Sequence, residues 1–243
     1  MRYVLLSDIH GNLEALQAVL EAARRFEPYQ LMCLGDFVGY GADPEPCIEL
    51  AGDKANLMLA GNHDLAVAGT ISTDDFNSIA RESIEWTRNQ LTPEDCELLS
   101  NLPLQYIDGD YCYTHASPLD PIRFTYVRTL EDVAEVFASI GQRFCFVGHT
   151  HLPVLVTMHT RRGRMEVMRD TRIQISEQNR YFVNVGSVGQ PRDSNPDACM
   201  VVLDEEAGTL EFIRVRYDVS KSQGKILSNG LPSYLAERLV LAR

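Results

Sequence analysis

Five of the six histidines in this chain, His10, His63, His115, His149 and His151, stand at or just beyond the ends of short apolar runs. They fall in compact polar clusters: Asp8-Ile9-His10-Gly11, Gly61-Asn62-His63-Asp64, His115, and Gly148-His149-Thr150-His151, with Gly35-Asp36 as a fifth cluster lacking histidine. A lone histidine is more often structural than a ligand. Five of them interleaved with Asp8, Asp36 and Asn62 form a donor set. Imidazole and carboxylate together suit manganese, iron, zinc or nickel, whereas calcium prefers an all-oxygen shell. Glycines beside the donors let the backbone turn sharply and approach an ion closely. His159 lies outside these clusters, next to a basic turn, and reads as a surface residue.

Such clusters converge only if neighbouring strands carry them, because ligands of an open α/β sheet collect at the carboxyl ends of strands. Apolar runs at 3–7, 30–34, 56–59, 111–114 and 144–147 supply those strands, each ending at a cluster. Between them, residues 12–26 have Leu13, Leu16, Val19 and Leu20 at helical spacing. Further helices are expected over 73–90, from Thr92-Pro93 onward, over 130–140 and over 231–242, while 35–46 reads as a loop. Asp108-Gly109 between 104–107 and 111–114 signals a hairpin. The second half is strand-rich: 154–159 and 165–168 around a basic turn at Arg161–Arg164, then 181–185, 198–203 and 210–216. No repeat or linker divides the chain, so residues 1–243 read as one domain. Strand–helix units followed by meandering strands predict two sheets packed face to face with helices outside.

Composition narrows the function classes. With 45% hydrophobic and 23% charged residues the chain has a globular profile. A net charge of −12 disfavours extended duplex nucleic-acid binding, yet metal cations reverse the sign locally inside a cleft. No run approaches the ~18 apolar residues of a membrane span. An acid at Asp8 interrupts what would be a signal peptide, and the expected location is the cytoplasm. The six cysteines form no C-x-x-C pair, and four of them sit in apolar strand-like runs as small hydrophobes of a reducing compartment. Neither Gly-x-Ser-x-Gly nor a Walker-type Gly-Lys-Ser/Thr is present, so acyl hydrolysis and P-loop chemistry have no support.

The ordered series Asp8-x-His10, Gly35-Asp36, Gly61-Asn62-His63-Asp64, His115 and Gly148-His149-x-His151 resembles the calcineurin-like metallophosphoesterase superfamily, in particular its small single-domain prokaryotic branch. Asn184-Val185-Gly186-Ser187 resembles a Gly-Ser turn of that branch. The resemblance implies an α+β fold, a four-layer αββα sandwich of two mixed sheets. It assigns one metal to Asp8, His10, Asp36 and His151, and a second to Asp36, Asn62, His115 and His149, with Asp36 bridging. It also implies that His63 contacts the substrate phosphate or leaving group and that Asp64 orients the His63 ring. Ala116 replaces a glycine frequent after the metal-binding histidine. The Arg-Gly and Asn-His-Glu patterns of the protein-phosphatase branch are missing, which makes phosphoprotein phosphatase activity a poorer match.

Two divalent ions offset by Asp8 and Asp36 leave a positive pocket in an acidic protein. Ions ~3.5–4 Å apart share a hydroxide for in-line attack, and a protonated His63 is expected to assist the leaving oxygen. The expected activity is hydrolysis of a phosphodiester or nucleotide phosphoanhydride. Alternatives are a phosphomonoesterase, a hydrolase of diadenosine polyphosphates, a nucleotide sensor, or a non-catalytic interaction scaffold. Gly39-Tyr40-Gly41 and the turn from Gly186 to Arg192 are expected to border the cleft, with Arg192 on a substrate phosphate. Arg161, Arg162 and Arg164 read as a solvated turn. The partner is a small phosphorylated substrate, a nucleotide among the candidates.

Overall fold

The computed structural model describes residues 1–243. One six-stranded sheet comprises, edge to edge, β3 (Leu57–Met58), β2 (Gln30–Cys33), β1 (Arg2–Leu6), β11 (Ala198–Asp204), β12 (Thr209–Val215) and β9 (Arg172–Gln174). The other runs β4 (Gln105–Asp108), β5 (Tyr111–Thr114), β6 (Phe144–Val147), β10 (Asn179–Asn184), β7 (Val154–His159) and β8 (Met165–Met168). Both are mixed: β1, β2 and β3 are mutually parallel, as are β5, β6 and β10, whereas β11 and β7 join antiparallel. The four-layer α+β sandwich expected from the motifs is the observed architecture.

Side-chain alternation explains the layering. In β1, Leu5 enters the layer between the sheets with Leu34, Tyr113, Phe146, Tyr181 and Val201. Its neighbours Val4 and Leu6 point the other way, packing with Leu16 and Val19 of α1 (Leu13–Ala23) and Cys47 and Ile48 of α2 (Pro44–Lys54). On the far side, Cys145 and Phe182 pack against Val133, Val136 and Phe137 of α6 (Leu130–Ser139). Each strand next to the site is therefore covered on both faces, and only its carboxyl end is free to carry polar chemistry.

Several elements depart from the sequence reading. Helix α2 begins inside the expected loop, because Pro44 occupies its first turn and only one side of it is apolar. Helix α3 (Asn62–Val67), to which the sequence reading gives no element, starts at the donor cluster itself. Helix α4 (Ser78–Arg88) starts later than expected, at an Asn77 cap whose side chain accepts from Ala80 N. Helix α5 (Pro93–Ser100) follows its Thr92 cap as read. Helix α7 (Val219–Ser228) was missed, since only Ser222 and Ile226 are buried in a polar segment. It packs against α8 (Ser233–Leu241), the expected closing helix.

Candidate metal centre

The five clusters meet. Asp8 follows β1, Asp36 follows β2, Asn62 and His63 open α3, His115 follows β5, and His149 and His151 follow β6. Short backbone bonds tie the first two loops together: Asp8 N donates to Gly35 O at 3.0 Å and His10 N to Asp36 O at 2.9 Å. Asp8, His10, Asp36, His149 and His151 all have left-handed backbone, with φ between 50 and 65°. Non-glycine residues there are strained and persist only where their surroundings over-determine them. Gly61 and Gly148 are required for space. A Cβ at Gly61 would overlap the Asp36 carboxylate, and one at Gly148 would overlap Ser7 and the Asp8 carboxylate.

Three imidazoles are oriented by backbone carbonyls. His10 Nδ1 faces Val38 O at 3.0 Å, His115 Nδ1 faces Leu34 O at 2.8 Å, and His151 Nδ1 faces Gln190 O at 2.6 Å. A Nδ1–H donated to a carbonyl leaves the Nε2 lone pair for the interior, the usual support of a ligating histidine. Asp36 Oδ2 lies 3.5 Å from His10 Nε2 and 3.3 Å from His115 Nε2, between the two halves of the cluster. Asp8 Oδ1 lies 3.2 Å from His151 Nε2. Donor atoms close enough to share an ion form the groups Asp8, His10, His151 and Asp36, His115, His149; a third group, His10, Asp36, His63, overlaps both. Asp8 Oδ1, Asn62 Oδ1, His115 Nε2 and His149 Nε2 are buried with no hydrogen-bond partner in the protein. Buried polar atoms left without partners inside these groups fit bound cations.

Electrostatics agree with that fit. Burial would push the Asp8 and Asp36 carboxyls up, but the His151 and His115 rings outweigh it and hold both below the ordinary range. Burial pushes His10 well down, His149 down to about 3 and His63 down to about 4. His115 is the exception: burial opposes its charge, yet Asp36 and Asp8 raise it to about 9. Most rings are thus held toward the neutral form, the one that can ligate a metal, and a cation between the carboxylates would replace the charge that His115 otherwise supplies.

One expectation about α3 needs correction. Asp64 does not orient the His63 ring. Its carboxylate accepts the N–H groups of Asp36 (2.7 Å), Phe37 (2.8 Å), Val38 (3.3 Å) and Gly61 (2.9 Å), which fixes the Asp36 loop onto α3. His63 Nδ1 has no partner at all. The ring is wedged between Tyr40, 4.5 Å away centroid to centroid, and Phe76 at 5.2 Å. Burial in that packing pushes the His63 ring below the ordinary histidine range, toward the neutral imidazole form.

Other residues fall as follows. Tyr40 borders the cluster as expected, 4.7 Å from the His10 ring. The Asn184–Ser187 turn supports the donors from behind and does not border the cleft: Asn184 Nδ2 donates to Gly148 O and Thr150 Oγ1, and Ser187 Oγ donates to Asp8 O. Arg192 is half-buried, 5.9 Å from the Tyr40 ring, with Nη2 on Gln190 Oε1. Arg161, Arg162 and Arg164 are exposed at the β7–β8 turn. The open side of the cluster is a cleft of about 780 Å³ whose walls include Asn62, His63, Phe76, Tyr126 and His149. Tyr126 stacks on His149 with centroids 4.0 Å apart. Sequence reasoning missed Phe76 and Tyr126, which lie in loops without a motif.

The chain matches the family described as calcineurin-like phosphoesterase over residues 1–155. It is 38% identical to an uncharacterized protein of Methanocaldococcus jannaschii, across 98% of this chain and 97% of that one. Among solved structures, a metallophosphoesterase from Sphaerobacter thermophilus superposes with a TM-score of 0.88 at 38% identity, covering 100% of this chain and 99% of the other. A protein from Pyrococcus horikoshii has the same fold, with a TM-score of 0.81 at 21% identity over 100% and 98% of the two chains. No helix is long and apolar enough to cross a membrane.

Proposed function

The chain belongs to the calcineurin-like phosphoesterase family, and from that premise we propose that it is a dinuclear-metal phosphoesterase acting on phosphodiester or phosphoanhydride bonds. The observation that carries the reading is Asp36 Oδ2, set between His10 Nε2 and His115 Nε2 with unpartnered donors on both sides. Asp8, His10, Asp36 and His151 would hold one ion, and Asp36, Asn62, His115 and His149 the other. When bound, manganese, iron, zinc or nickel ions supply Lewis acidity and a hydroxide at neutral pH.

The protein's own residues do the rest. His63 stands beside the Asp36 side of the cluster and faces the cleft, where its remaining N–H can hydrogen-bond a phosphate or leaving oxygen. Tyr40 and Phe76 hold that ring in place. Water provides the new P–OH oxygen, the P–O bond to the leaving group breaks, and the leaving oxygen takes up the proton. The cleft beside His149 offers an aromatic wall for an organic substituent such as a nucleoside. Residues 1–243 act as one catalytic unit in this reading, because β11 and β10 from the second half complete the sheets built on β1 and β6. Six unpaired cysteines suit a reducing cytoplasm.

The test is direct. The protein is loaded with manganese, freed of excess ion, and assayed for metal content and for hydrolysis of bis(4-nitrophenyl) phosphate. Two ions per chain with chelator-sensitive turnover support the reading; full activity with at most one ion overturns the dinuclear part of it.

A further inference from the structure

The loop Gly39-Tyr40-Gly41 is held more tightly than a turn requires. Tyr40 has a left-handed backbone, φ 63°, and its neighbour Gly39 is left-handed as well. A Cβ at Gly39 would overlap His63 Nδ1, and one at Gly41 would overlap the His10 carbonyl oxygen. Gly41 N donates to His10 O at 2.9 Å, and Asp43 N donates to Gly11 O at 2.9 Å. The loop is thus clamped against both His10 and His63, with a tyrosine placed where L side chains are disfavoured. Strain of this kind persists only where the surroundings over-determine it, and it gathers at functional sites.

Packing accounts for the Tyr40 ring. It lies on His10 and His63, and it shares an apolar cluster with Ala80, Leu235 and Leu239. Phenylalanine would fill that space equally well, so the hydroxyl is the part left to explain. A buried tyrosine usually finds a partner for its O–H. Tyr111 donates to Glu205 Oε1 at 2.5 Å, and Tyr181 donates to Ser176 O at 3.2 Å. Tyr40, only 7% exposed, makes no such bond. Nor is its hydroxyl sealed in, as the unpartnered hydroxyl of Tyr217 is. Tyr40 forms part of the cleft wall with Asn62 and His63. Burial outweighs the Arg192 charge and holds the phenol above its ordinary pKa, so the group is a neutral donor. Of the other charges that reach it, Asp36 belongs to the donor cluster and Tyr126 to the same cleft.

We propose that Tyr40 is a catalytic residue whose hydroxyl donates a hydrogen bond to a non-bridging oxygen of the phosphoryl group under attack. The inference rests on the phosphoesterase reading of the cluster, to which Tyr40 otherwise contributes only ring packing. Its ring lies 4.5 Å from that of His63, so the phenol O–H and the imidazole N–H form one donor pair on the cleft wall. As water attacks and the bond to the leaving oxygen breaks, charge is spread over the remaining phosphoryl oxygens. A donor already fixed in place stabilises that charge without reorganising. The Tyr40 proton stays on the phenol throughout, and no covalent bond of Tyr40 is made or broken. The clamped, strained loop supplies the fixed placement that such a donor needs.

Tyr40→Phe removes the hydroxyl and keeps the ring. Loaded with manganese, the variant should retain the wild-type melting temperature and two ions per chain. Its kcat for bis(4-nitrophenyl) phosphate should fall by about 10²-fold, the lower end of the range for loss of one preorganised donor. Inorganic phosphate, titrated by calorimetry as a probe that needs no turnover, should bind the variant about tenfold more weakly, a difference of roughly 1.4 kcal/mol. Tyr40→Leu also removes the ring and should both melt lower and lose more activity. Tyr106→Phe, on the exposed β4 edge, should change neither kcat nor phosphate affinity. If Tyr40→Phe keeps wild-type kcat and phosphate affinity while Tyr40→Leu is impaired, the ring acts by packing alone and the hydroxyl role is wrong. Manganese lost from Tyr40→Phe would overturn it too, by making the residue a support of the donors. Failure of the phosphoesterase reading is distinct: the wild-type protein itself then holds no manganese and turns over no diester, and the proposal falls with it.

Discussion

Asp64 Oδ2 accepts the backbone N–H of Asp36 at 2.7 Å, so one buried carboxylate fixes the loop that presents another. The same side chain holds three more amides, and it lies under the cluster without touching a ring nitrogen. Asp64→Asn turns one acceptor oxygen into a donor that faces amide N–H groups. An unsatisfied buried group costs about 1–3 kcal/mol. The variant should melt lower than wild type even after chelation, and it should bind both manganese ions more weakly. Thermal denaturation with and without metal checks both outcomes.

The position of Asp36 between His10 and His115 predicts an asymmetry between ligands. Asp36→Asn removes negative charge from both halves and should weaken both ions together. His10→Ala should empty chiefly one. Titration calorimetry separates the two, and wild-type affinity at both sites in Asp36→Asn would rule out bridging.

His63 packs in the wall of the cleft with Nδ1 unpartnered. His63→Ala should retain two ions per chain and lose ~10²–10⁴-fold in kcat, the range for removal of a general acid–base or hydrogen-bonding group. Elemental analysis of the same preparation distinguishes this from a ligand role, in which metal would be lost with activity.

Substrate preference follows from the cleft. Beside His149 its wall is aromatic, and Arg123, the cation there, is already paired with Asp120 at 2.8 Å. A second organic substituent is accommodated while a lone dianion gains little. The ratio of kcat/KM for bis(4-nitrophenyl) phosphate over 4-nitrophenyl phosphate should exceed one at equal metal and pH. A monoester favoured by tenfold, about 1.4 kcal/mol in transition-state binding, would reverse the assignment.

Glu14 of α1 is buried and forms ion pairs with Lys225 at 2.7 Å and Lys221 at 3.1 Å, both on α7. Burial raises its pKa, but the two lysines outweigh it and leave the carboxyl below the ordinary glutamate value. A depressed folded pKa contributes stability above the unfolded pKa and loses it as pH falls through the folded value. Glu14→Gln should therefore cost about 1–3 kcal/mol at pH 7, with the gap to wild type closing on acidification below the ordinary glutamate range. Urea denaturation across that range measures it.

The donor cluster was legible because it is written in residue types that are rare and placed where strands end. Asp8, Asp36, His115 and His149 each follow a short, continuously apolar run, buried on both faces, that also reveals the strand. The supports were not legible. Val38, Leu34 and Gln190 orient three imidazoles through carbonyl oxygens, which every residue possesses. Arg238 gives no local sign of its place beside Tyr40, since only the packing of α8 brings it there. Helices α2 and α7 were obscured by proline, glycine and polar residues on faces that tertiary contacts nevertheless bury. For Asp64, adjacency to His63 suggested a partnership that the turn into α3 directs elsewhere, toward the amides of the Asp36 loop.

The left-handed backbone at five cluster positions has a bearing on metal identity. Donor spacing there is imposed by the polypeptide, through backbone bonds and glycine contacts that exist independently of which ion arrives. Mixed imidazole and carboxylate donors accept several first-row metals, so the choice among them falls to ligand type, that imposed spacing and metal availability. Ions bound there would then record supply as well: the same chain grown in manganese-rich or zinc-rich medium should carry different metals in an unchanged scaffold, and its specific activity would become a property of the culture as much as of the sequence.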